Sequence, residues 1–85
     1  MRGPPEKVNS SDAVAAIRKC VNQGVQIVGL DGFVVVPEGF MAALDLMLDT
    51  SNRKLSVKQA AAEAEPFITA KGRPDVLWEV WTELS

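Results

Sequence analysis

Gly24-Val25-Gln26-Ile27-Val28-Gly29-Leu30-Asp31-Gly32-Phe33-Val34-Val35-Val36 decides the fold of this 85-residue chain. Two apolar runs rich in β-branched side chains flank Asp31-Gly32, a dipeptide that favours a two-residue hairpin turn because it tolerates positive φ. The stretch therefore predicts a β-hairpin over 25–36, with strands at 25–30 and 33–36. Both runs are almost wholly apolar, which predicts a central position with both faces at least partly covered. Gly29, inside the first run, predicts a bulge or the close approach of another element. Pro37-Glu38-Gly39 ends the second run.

Upstream, Ser10-Ser11-Asp12 reads as a helix start, with a hydroxyl available to cap free backbone N–H groups. Val14, Ile17, Cys20 and Val21 recur at helical spacing, with Ala13 and Ala16 alongside. Arg18 and Lys19 suit the C-terminal end of the helix dipole, and Gly24 is a natural stop. The first helix is expected over 12–23. Residues 1–9, polar and proline-bearing, are expected to form a flexible N-terminal arm, leaving 10–85 as a single domain.

Downstream, residues 40–49 (F-M-A-A-L-D-L-M-L-D) admit two readings. Leucine, methionine and alanine favour helix by propensity. The alternation L-D-L-M-L-D favours a strand at 44–49, and that reading is preferred because a hairpin alone makes a poor sheet. Ser56 and Gln59 match a capping box, and an alanine-rich helix follows over 57–71. Pro66 lies inside it and is expected to kink or split it. Over 76–84, the V-L-W-E-V-W-T-E-L run reads as strand from its valine, tryptophan and threonine content, although a helix would also give it an apolar face. The fold expected is α+β: a small antiparallel-rich sheet packed with two helices.

Composition bounds the class. The chain is 47% apolar, too much for a disordered protein. One cysteine excludes an intramolecular disulfide, in keeping with a cytoplasmic location. No apolar leader and no run long enough to span a membrane is present. Net charge is −2, unevenly spread. From Cys20 to Asn52 there is no lysine or arginine, but there are Asp31, Glu38, Asp45 and Asp49. Phosphate-binding surfaces need clustered cations, so nucleic acid is not expected as a partner. A basic protein is.

The residue inventory argues against catalysis. With no histidine and no tyrosine, the chain has no imidazole base, no Ser-His-Asp triad and no Cys-His pair. A lone cysteine without histidine builds no structural zinc site, and no glycine-rich phosphate loop is present. A non-enzyme without cofactor or metal is expected. Asp31, Asp45 and Asp49 would have to converge to hold a metal or share a proton; Asp31 is better explained as a turn residue, and the other two as solvent-facing acids. Cys20 falls on the apolar face of the first helix and reads as a small buried hydrophobe. In the strand reading Trp78 and Trp81 point to opposite faces. Trp78 is then the core candidate, and Trp81, beside Glu79 and Glu83, the interface candidate.

Gly24, Ile27, Gly29, Asp31 and Gly32, preceded by an amphipathic helix, give residues 12–36 a pattern that resembles small bacteriocin and contact-toxin immunity proteins, including the colicin immunity type that inhibits a tRNA-cleaving toxin. The resemblance implies a non-enzymatic inhibitor that binds the nuclease domain of a cognate toxin and blocks its basic cleft. On that reading the charge layout nominates Asp31, Glu38, Asp45 and Asp49 as the acidic field, with Glu79 and Glu83 beside it. Trp81 with Phe33 or Phe40 would supply buried anchors. The alternatives are a small regulatory, adaptor or phage-type inhibitor domain, and a homodimeric structural module whose apolar strands pair across a two-fold axis.

Overall fold

The computed structural model describes residues 5–84; residues 1–4 of the expected arm, and Ser85, lie outside them. The elements run α1 (Ser10–Gln23), β1 (Ile27–Val36), β2 (Gly39–Asp49), α2 (Val57–Lys71) and β3 (Val76–Thr82). The three strands form one antiparallel sheet in the order β2-β1-β3, so β1 is central as its apolar composition predicts. The fold is α+β. Of the ambiguous segments, 40–49 is strand throughout and 76–84 is strand as far as Thr82.

Asp31-Gly32 is not the turn. It sits in the middle of β1, one continuous strand of ten residues. The chain reverses at Pro37-Glu38 instead, where Val36 pairs with Gly39. Gly39, at φ 137°, supplies the conformation that this reversal needs. Gly32 answers a packing demand. A Cβ there would lie 2.5 Å from the Leu46 Cβ and 3.0 Å from the Trp78 ring. With ladder partners on both sides, the extended backbone of β1 outweighs the local turn preference of its dipeptide.

Both ladders are irregular. Asp31 faces Met47 but Phe33 faces Ala42, so β2 sets residues 43–46 opposite the single Gly32. Between β1 and β3 the register slips at Val28, next to Gly29. That extra residue lets Ile27 and Leu30, three apart, both turn into the core.

Both helices pack on one side of the sheet. Ala13 and Ile17 of α1, and Ala60, Ala64 and Ile68 of α2, meet Leu30, Val76 and Trp78 in one buried cluster. Phe67 packs edge-on against Trp78 at 6.0 Å between ring centroids. The α1 cap differs from expectation by one step: Asn9, not Ser10 or Ser11, accepts the Asp12 N–H at 2.8 Å. Ser10 is thereby free to accept the Trp78 indole N–H at 2.9 Å. Gly24 closes α1 in the left-handed conformation, φ 68°. The capping box of Ser56 and Gln59 is complete. Pro66 does not split α2; it is exposed, so the carbonyl that it leaves without a donor can face water.

The N-terminal arm is tied down where the structure describes it. Val8 and Trp78 exchange both backbone hydrogen bonds, at 2.9 and 2.7 Å, along the outer edge of β3.

Candidate partner-binding face

The helices leave the other side of the sheet uncovered. Alternation along β1 sends Gly29, Asp31, Phe33 and Val35 to that side. Their cross-strand partners follow them: Asp49, Met47, Ala42 and Phe40 on β2, and Trp81, Glu79 and Leu77 on β3. Of the nine residues nominated from sequence, Asp31, Phe33, Phe40, Asp49, Glu79 and Trp81 share this face.

The other three lie apart from it. Glu38 is in the turn between β1 and β2, and Asp45 is exposed within the β2 irregularity. Glu83 lies beyond the end of β3, where its carboxylate accepts the Gln26 N–H at 3.3 Å. Asp31, Asp45 and Asp49 do not converge, and among the described residues no three acidic or thiol groups are placed to hold a metal ion.

The acids on the face are individually engaged. The Trp81 indole N–H donates to Asp31 Oδ2 at 3.0 Å, a bond between neighbouring strands that fixes the plane of the indole. Asp49 accepts from both the hydroxyl and the N–H of Ser51, at 2.5 and 2.8 Å, and these bonds lower its pKa below the usual carboxylate value. Glu79 is only 6% exposed, although it belongs to the uncovered side. Its cover is Lys7 of the arm, whose Nζ lies 3.1 Å from Glu79 Oε2 and sits over the rings of Phe33 and Phe40, 4.6 and 5.2 Å from their centroids.

Apolar side chains fill the rest. Phe40 is 55% exposed, Val35 45% and Met47 39%. A shallow hollow of about 510 Å³ lies beside the Asp31–Trp81 bond, walled by Gly29, Met47 and Asp49. Phe40 and Trp81 are rigid anchors of the kind that interfaces favour. Lys7, Val35 and Met47 were not legible as site residues. Lys7 belongs to a segment with no strand pattern, and nothing local says that it folds back. Val35 and Met47 lie in runs apolar enough to read as core on both sides.

A groove of about 950 Å³ on the helix side is lined by Arg18, Lys19 and Arg73. Arg18 and Arg73 pair with Glu65 and Asp75 at 2.6 and 3.3 Å. Cys20 on α1 is half-buried, and burial raises its thiol pKa, so its reactive thiolate is scarce. No helix among the described residues is long and apolar enough to cross a membrane.

No family model, curated protein or solved structure matches this chain.

Proposed function

We propose that this chain is a non-enzymatic protein-binding inhibitor that docks a basic partner on the uncovered sheet face. One observation carries the reading: Phe40, Val35 and Met47 are exposed together on a sheet surface that also presents Asp31 and Asp49. A desolvated aromatic and aliphatic centre with charged neighbours is the anatomy of a specific interface. The acids steer a cationic partner towards it. The pattern at residues 12–36 makes the specific case an immunity protein, whose partner is the nuclease domain of a toxin encoded beside it.

The test is titration calorimetry against the product of the gene immediately upstream, with nuclease activity followed in parallel. Phe40→Ser should weaken binding by about 30-fold or more, as loss of an interface hot spot does. The charge-reversed Asp49→Lys chain should associate more slowly and lose part of its salt dependence. Unchanged affinity in Phe40→Ser, with the fold intact by circular dichroism, would remove this face from the interface.

A second reading, a homodimer, is favoured by the outer edge of β2, where Leu44 is 88% exposed on a strand with no neighbour beyond it among the described residues. Light scattering across a dilution series separates the two. A salt-indifferent dimer supports the second reading, and a monomer the first.

A further inference from the structure

We infer that Phe33, Phe40 and Glu79 form a cup for one cationic side chain of the docked partner, and that Lys7 occupies it as a placeholder in the free protein. The inference rests on the docking reading above and names what one part of that face recognises. A carboxylate on the uncovered side of a sheet would ordinarily stand in water. Glu79 is 6% exposed because the arm folds over it. Its partner is an ammonium group 3.1 Å away, and that cation also sits over two aromatic rings, 4.6 and 5.2 Å from their centroids. A charge-assisted hydrogen bond and two ring quadrupoles converge on one point, and all three favour a positive charge on a slender stem.

The occupant is held by little else. Among the described residues the arm's backbone joins the sheet at one bridge, Val8 to Trp78, before α1 begins at Ser10. Among the described residues Lys7 has no other ion pair. Its side chain is 30% exposed, whereas that of Glu79 is 7% exposed. The cup is thus a fixed feature of the sheet, and the lysine is a removable one. A lysine carried by the partner would bring the same chemistry and could replace it without leaving Glu79 unpaired. That exchange avoids the cost of a buried lone carboxylate, which otherwise makes such a site hard to open.

Chemical rescue tests this with n-butylammonium, the lysine head and stem without the chain. In full-length Lys7→Ala, titrated n-butylammonium should give saturable amide shifts at Phe33, Phe40 and Glu79 and raise the unfolding midpoint. The native chain, its cup filled, should show neither. In Lys7→Ala with Glu79→Gln the response should disappear. Lys7→Met keeps the aliphatic cover and serves if Lys7→Ala does not fold. Equal responses in native and Lys7→Ala chains, or shifts that never saturate, overturn the inference. This outcome is independent of the docking reading: a partner can bind through Phe40 and Met47 while Lys7 stays seated, and the cup can bind n-butylammonium even if no protein docks.

Discussion

Gly32 is the residue on which the sheet is most exacting. It has Leu46 on one side and the Trp78 ring on the other, with no room for a methyl group. Gly32→Ala should destabilise the domain by about 1–3 kcal/mol, the usual cost of overpacking, measured by urea unfolding. Gly29, where a Cβ would lie 3.0 Å from the Leu48 carbonyl, should be less severe. Trp81→Phe removes the indole donor from Asp31 and should cost about 1 kcal/mol in the same assay. Asp49 supplies a pH signature. Its pKa is lowered in the folded chain by the Ser51 hydroxyl and N–H, so its contribution to stability is present above its unfolded pKa and is lost as pH falls through the folded value. Ser51→Ala should move the Asp49 carboxyl titration upward, read by carbon-detected NMR.

At the scale of elements, helix ends were legible and strand pairing less so. Ser56, Gln59 and Gly24 act through bonds to backbone groups a few residues away, so their roles follow from spacing alone. Ser56→Ala should therefore cost about 1 kcal/mol through loss of the cap on α2, with α2 fraying first by hydrogen exchange. Asp31-Gly32 misled because its turn preference is local, whereas its actual surroundings come from Leu46 and Trp78, far along the chain. The same limit applies to the site. Phe33 and Trp81 are nominated from their strands, but Asp31 reads as a turn residue, so its place on their face follows only from the continuous β1. The four-residue excursion of β2 at 43–46 resets the strand alternation and turns Leu46 inward, and no local motif announces it. Asp45 was counted with Asp49 for this reason, yet the irregularity separates their settings.

At the scale of the whole molecule, Asp31 and Asp49 lie on the uncovered sheet face, while Arg18 and Arg73 at the helix groove are paired with Glu65 and Asp75. Association with a basic partner should therefore slow as salt rises, with the effect concentrated in the on-rate by stopped-flow fluorescence of the tryptophans. The two margins of the sheet are also unequal. Val8 occupies the N–H and carbonyl of Trp78 on one, while on the other β2 has no strand beyond it among the described residues. Self-association by strand addition then has one open edge, β2, and one that Val8 obstructs at Trp78. Two molecules that join through β2 use up the open edge of each, which favours a closed pair over a fibre. Val8→Pro, which takes away one of the two blocking hydrogen bonds, should free the second edge and let concentrated solutions polymerise.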